Sequence, residues 1–322
     1  MPSLEEKLTT VLNEGRILVL GTQVLVGFQC RAAFEPGFDR LEAVEQHLIL
    51  VGLCVMLAAL GLLLLPAAFH QIADRGEDTE ALDRHATRVM DLALFPFAVG
   101  LGITIDVAFA AVLGRRAGVV AGVVGTATAL VCWYGIEMVR RSSDRSRDVG
   151  KGVEVEEAAG GAPELKDKIT HVLTEARMVL PGSQALLGFQ FVTILMDAFE
   201  RLPASSKYVH LASLGLIAMS IILLMLPAAY HRLVERGEDT EHFHRVASTC
   251  VVAAMALLAP GICGDVFVVS RKVTGSLEVA LALAGGMLLF FTGLWFGYTL
   301  LARRRKNAPE GGAPGRVIVA TG

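Results

Sequence analysis

The chain has 322 residues, 53% of them hydrophobic and 19% charged, and a net charge of −3. The apolar residues gather into runs of about 20, the length of a helix crossing a bilayer. Runs such as 49–69 and 280–301 are apolar all round, which excludes a soluble bundle whose helices each turn a charged face to water, and no basic face, phosphate loop, nucleophile motif or zinc signature points to nucleic-acid binding or to an enzyme.

The chain begins with a capping box, Ser3-Leu-Glu-Glu6, in which a hydroxyl and a carboxylate close the free N–H groups of a helix start. Leu4, Leu8 and Leu12 follow at helical spacing, so an amphipathic lead-in helix is expected to run into the first apolar segment. The acidic Glu5 and Glu6 and the late start of that segment at Ile17 do not fit a cleavable signal peptide. Apolar runs then lie near 17–34, 47–70, 89–113 and 117–139. A stretch rich in Glu, Gly and Ala covers 141–164 and reads as a flexible linker. Four more runs lie near 178–199, 208–230, 246–269 and 277–301, and a polar tail covers 307–322. The opening run of each set is the weakest, carrying Gln23, Gln29 and Arg31 or Gln184, Gln190 and Asp197.

The second set repeats the first. Arg75-Gly-Glu-Asp-Thr-Glu80 returns unchanged as Arg236-Gly-Glu-Asp-Thr-Glu241, and Gly27-Phe-Gln29 returns as Gly188-Phe-Gln190. Leu65-Pro-Ala-Ala-Phe-His70 returns as Leu226-Pro-Ala-Ala-Tyr-His231, and Glu14, Arg16, Gly21 and Gln23 return as Glu175, Arg177, Gly182 and Gln184. The period is 161 residues and is expected to slip late, with Asp106 matching Asp265. The expected architecture is therefore an all-α integral membrane protein of eight transmembrane helices in two parallel four-helix repeats, 1–140 and 165–306. An even number of spans per copy inserts both copies the same way up, so a pseudo-two-fold axis along the membrane normal is expected, as in a fused homodimer. Seven basic residues fall on one side: Arg40, Arg115, Arg116, Arg201, Lys207, Arg271 and Lys272. Arg31 lies within a span, and the other 21 of the 29 Lys and Arg share a side with both termini. The positive-inside rule makes that side the cytoplasm, and the expected location is the plasma (inner) membrane of a bacterium. Arg303-Arg-Arg-Lys306 ends the last span as a cytoplasmic stop.

Ionisable groups within spans are costly in lipid and are the first candidates for function. Asp106 and Asp265, late in the third span of each copy, are the favoured pair, with Gln29 and Gln190 at a similar depth. A carboxylate, a side-chain amide and carbonyls freed by Pro96 and Pro260 form a set that binds a small cation or passes a proton. The structural alternative pairs each Asp with a loop arginine such as Arg115 or Arg271. Glu14 and Glu175, at the cytoplasmic edge, are placed to collect cations or to pair with Arg. Arg31, Asp91 and Asp197 occur in one copy only.

The loop after the second span contributes His70, Arg75, Glu77, Asp78 and Glu80, and in the second copy His231, Arg236, Glu238, Asp239 and Glu241. A tight turn capped by Asp78 or Asp239 explains most of that string, but identity over six residues exceeds what a turn needs. Gly118 with Gly122, and Gly293 with Gly297, have the GxxxG spacing of close helix packing. His242 and His244 fall on nearly opposite faces of one helix, a poor chelate. No histidine is expected deep in a span with a partner, so neither a metal nor a haem is implied, and no cofactor is expected. The five cysteines, all in spans, read as small apolar residues.

The set Glu175-Ala-Arg177, Leu180-Pro-Gly182, Gly188-Phe-Gln190, Pro227-Ala-Ala-Tyr-His-Arg232, Gly237-Glu-Asp-Thr240 and Phe243-His-Arg245 resembles a family of compact four-span bacterial membrane proteins catalogued as a domain of unknown function. The first copy departs from that set at Gly15, Leu20, Gln71 and Asp83. Members of that family are usually one copy long and often carry a sodium/proton antiporter label, so the resemblance implies a tandem fusion and exchange of Na+ for H+. The second reading is a scaffold or partner subunit that docks through the RGEDTE loops. The lipid bilayer is the expected partner, with the repeats packed as a pseudo-dimer or further copies forming a homo-oligomer.

Overall fold

The computed structural model describes residues 4–74, 80–135, 165–233 and 240–307. These residues form helices and turns only. In chain order the helices are α1 (Leu4–Ala32), α2 (Ala43–Ile72), α3 (Glu80–Leu113), α4 (Arg115–Leu130), α5 (Leu165–Ile194), the single turn α6 (Asp197–Glu200), α7 (Ala204–Leu233), α8 (Glu241–Thr274), α9 (Leu277–Thr292) and α10 (Thr299–Asn307). The wider π-helical turns Val131–Gly135 and Gly293–Tyr298 extend α4 and join α9 to α10. The linker, most of the tail, and the loop residues Arg75, Glu77, Asp78, Arg236, Glu238 and Asp239 lie outside the described residues.

Among the described residues, six helical segments are long and apolar enough to cross a membrane: Ala43–Ile72, His85–Leu113, Arg115–Tyr134, Ala204–Tyr230, Glu241–Thr274 and Leu277–Arg305. α1 and α5 are not among them. Their length suffices, since 29 and 30 residues extend about 43–45 Å at 1.5 Å per residue. The glutamines and charges of each opening run lower their hydropathy instead.

Both repeats are built alike. In each, the first helix packs on the second, the second on the third, and the third on the fourth. α2 and α7 have 30 residues each, α3 and α8 have 34 each, and both pairs are offset by 161. The two long helices end at Gly114 and Gly275, also 161 apart, both with positive φ, a backbone region that glycine enters at no steric cost. The repeat therefore keeps its register through α3 and α8 and slips by one residue only at Ser276. This corrects the pairing of Asp106 with Asp265: the residue standing opposite Asp265 is Thr104. Asp106 lies two residues further on, about 200° around a helix of 3.6 residues per turn, and faces α4.

The seam between repeats joins α1 to α5 and α2 to both α8 and the π turn after α9. The second contact has no comparable counterpart between α7 and α3 among the described residues, so the expected pseudo-two-fold is not kept. The same asymmetry appears side chain by side chain. Gln23 is buried against Gly182, and an added Cβ on Gly182 would fall 1.5 Å from Gln23 Oε1. The ring of Phe189 occupies the space over Gly27, 2.0 Å from where a Cβ would lie. Gly21 and Gly188, the partners by repeat, have nothing within 4 Å, and Gln184 is exposed.

On the other side of the seam, Trp295 Nε1 donates to Gly61 O at 2.9 Å, with Phe290 and Phe291 over the same glycine. Gly118 and Gly122 do serve packing, against Asp106 and Gly102 of α3. On Gly293 an added Cβ would meet nothing within 4 Å and on Gly297 only Thr292 O at 3.8 Å, whereas Gly61 is the glycine that admits the aromatic rings. All five cysteines are free, with Cys250 and Cys263 buried but Cys132 exposed.

Candidate functional site

Asp265, Gln190, Ser213 and His210 come from three helices of the second repeat, α8, α5 and α7, and all four are at least nine-tenths buried. Gln190 Nε2 lies 2.8 Å from each oxygen of the Asp265 carboxylate and 2.8 Å from Ser213 Oγ. Ser213 donates to Gly261 O and stands 3.3 Å from Asp265 Oδ1. His210 holds Gln190 O through Nε2 at 3.0 Å and brings Nδ1 to 3.7 Å from Asp265 Oδ1. No Lys or Arg contacts the carboxylate among the described residues. Gln190 Oε1 has no hydrogen-bond partner, and beside it is a cavity of roughly 10 Å3 walled by Gly27 and Cys30 of α1, about the volume that admits one water. The carbonyl that reaches this cluster belongs to Gly261, not to the residue one turn before Pro260.

Gln29 does occupy the matching place in the first repeat, but its Nε2 donates to Thr104 Oγ1 at 3.0 Å. Ile49 stands where the second copy has His210, and Gly52 where it has Ser213. The first repeat therefore lacks the carboxylate, the imidazole and the hydroxyl of Ser213. Asp106 is held elsewhere, by Arg115 through two hydrogen bonds of 2.8 and 3.2 Å, with Glu45 3.6 Å from the same guanidinium. That is the structural alternative, an arginine pairing, made by Arg115 at the start of α4. Asp265 is not paired with Arg271, which bonds Gly275 O.

A second polar cluster crosses the seam. Glu175 of α5 is fully buried, with Oε1 2.5 Å from His70 Nδ1 at the end of α2 and Oε2 accepting from Gln71 Nε2. His171 lies over His70 with ring centroids 6.0 Å apart. Glu175 is thus paired with an imidazole and an amide from the other repeat rather than with Arg. Glu14 and His231 lie on described helices, but their side chains, like that of Glu80, fall outside the described residues. His242 is exposed and His244 buried, as their opposed positions require. His70, in the last turn of α2, and His210, in the second turn of α7, are buried beside carboxylates near helix ends rather than deep in a span. At the second RGEDTE loop the helix cap is Thr240, whose side chain accepts from Phe243 N at 3.1 Å, one residue after the expected Asp239. Glu241 follows in the exposed first turn.

His210 and Ser213 escaped the sequence reading because it favoured residues present in both copies. The signal was three coincident differences at the constant spacing: Ile49 to His210, Gly52 to Ser213 and Thr104 to Asp265. The first two add a polar group to the second copy at the level of Gln190, and the third puts a carboxylate where the first copy has a hydroxyl.

The chain belongs to a family of unknown function (DUF6328), which it matches twice, over residues 3–137 and 164–299. The two matches are a tandem duplication of that domain. No curated protein and no solved structure matches the chain.

Proposed function

We propose that this tandem member of its family spans the membrane eight times, with both termini in the cytoplasm of a bacterium, and exchanges protons for a small cation such as Na+ at a single site built on Asp265. One observation carries the reading: Asp265 is buried among neutral amide and hydroxyl groups and one histidine, with no Lys or Arg against it among the described residues. A carboxylate so placed is costly to keep charged in a helical bundle, so it binds either a proton or a small cation. The two compete for the same oxygens, and that competition is the chemistry of exchange. Ser213 Oγ, Gly261 O and the unpartnered Gln190 Oε1 add neutral oxygen donors of the kind a hard cation takes. His210 Nδ1, buried without a hydrogen-bond partner, stands 3.7 Å from Asp265 Oδ1 and adds an ionisable group beside the carboxylate.

The path toward the cytoplasm follows α5. Glu175 and Gln190 are 15 residues apart, about 22 Å along the helix, and buried Gln23 sits between them against Gly182. Glu175 and His70, in hydrogen-bond contact, form the second proton station. α1 and α5, with 29 and 30 residues, are long enough to cross a bilayer and supply the two further spans.

The test is flux in proteoliposomes under an imposed Na+ gradient. Asp265→Asn should abolish the Na+-dependent pH change, while Asp106→Asn should leave it in place. The reading fails if the purified protein moves neither ion, or if Asp265→Asn moves them as the parent does.

A further inference from the structure

The first repeat has a cavity of roughly 510 Å3 where the second has its ion cluster. Ile49 and Thr104, which replace His210 and Asp265, both line it, together with Leu25, Phe28, Ile103 and Val107. Ligand pockets commonly span about 300–1,000 Å3 and are mostly apolar with a few polar groups. One polar group here is incomplete. Thr104 gives its own hydroxyl proton to Gly100 O at 2.9 Å, so its oxygen can only accept. The Gln29 amide must therefore face it through nitrogen, as the 3.0 Å bond requires. That orientation leaves Gln29 Oε1 buried beside the cavity with no hydrogen-bond partner, and a buried acceptor without a donor is costly. The charges at the rim, Arg31 and Glu35, neutralise each other at 2.7 Å. Phe28, 52% exposed, borders the opening.

The geometry points to a binding site for a neutral, membrane-soluble amphiphile drawn from the bilayer. Its apolar body lies against Leu25, Phe28, Ile49, Ile103 and Val107, and its single O–H or N–H donates to Gln29 Oε1. A charged headgroup finds no unpaired counter-charge, and a pure hydrocarbon leaves the acceptor unsatisfied. The site is independent of the exchange reaction and stands whether or not the chain moves ions. The duplication has thus left a carboxylate site in one copy and an apolar receptor in the other.

The experiment uses the full chain in phosphatidylcholine nanodiscs and a long-chain alcohol bearing a diazirine, with the cross-linked residues mapped by mass spectrometry. Labelling should concentrate on residues 25–32 and 103–108. The unlabelled alcohol should compete about three- to tenfold better than its methyl ether, which cannot donate. Gln29→Leu should remove that preference, and Ile49→Trp, filling the cavity, should remove the labelling itself. Gel filtration and thermal unfolding establish that each variant is folded; if Ile49→Trp does not fold, Gln29→Leu alone carries the test. Labelling spread evenly over the lipid-facing helices, an ether that competes as well as the alcohol, or a preference that survives Gln29→Leu overturns the proposal.

Discussion

Replacing Gly27 and Gly188 by alanine, one at a time, measures the asymmetry of the seam directly. A methyl group on Gly27 falls 2.0 Å from Phe189 Cδ2 and 2.5 Å from Cε2, so the ring has to leave its place. Phe189 also packs on Phe28, with centroids 4.6 Å apart, and its displacement disturbs that contact too. Overpacking of this kind costs about 1–3 kcal/mol. At Gly188 the added methyl meets nothing within 4 Å, and exchanging a mid-helix glycine for alanine is worth about 0.5–1 kcal/mol in the stabilising direction. The helix gain is common to both variants, so they should differ by the overpacking cost, about 1–3 kcal/mol, roughly 5- to 150-fold in the unfolding equilibrium. The assay is reversible unfolding in mixed micelles titrated with SDS, read from the fluorescence of Trp133 and Trp295. Gly27→Ala combined with Phe189→Ala should recover part of the loss, because the clash disappears with the ring. Equal effects at Gly27 and Gly188 would mean a two-fold seam and would refute the reasoning.

Three further outcomes follow from the same packing. His70→Ala removes the imidazole facing the buried Glu175 and should cost about 3–5 kcal/mol, while the double change His70→Leu with Glu175→Leu should cost less than His70→Ala, because no charge stays behind; the same unfolding titration compares them. Trp295→Phe keeps one aromatic ring but loses the bond to Gly61 O, about 0.5–1.5 kcal/mol, and part of the buried indole, so its loss should lie between that and about 3–5 kcal/mol for Trp295→Ala. Thr240→Ala removes the cap of α8 and should cost about 0.5–2 kcal/mol, seen also as faster amide exchange at Phe243.

Much of the helical layout was legible because lipid imposes a local rule: a segment of the right length and apolarity is a helix wherever it packs. The 161-residue period carried over to matching helix lengths and matching glycine stops. Partners across the seam were not legible, since neither Glu175 nor His70 carries any mark of the other, 105 residues away. Asp106 shows a different failure. Aligning the two carboxylates required a shift of two residues inside a continuous helix, and such a shift turns a side chain about 200° away from its supposed counterpart. Thr104, with no charge to draw notice, held the true position. Gln29 and Gln190 were found by identity, whereas His210 and Ser213 had to be found by difference.

The lopsided seam also bears on how the two halves can change over time. In a dimer of two identical chains every substitution arrives twice, once on each side of the contact, and a residue that suits one side has to be tolerated on the other. Joining the halves in one polypeptide ends that coupling. Phe189 can press into Gly27 while Phe28 leaves Gly188 open, and Thr104 can stand in one half while Asp265 stands in the other. One gene with two addresses for the same position can keep a demanding residue at one and try something else at the other.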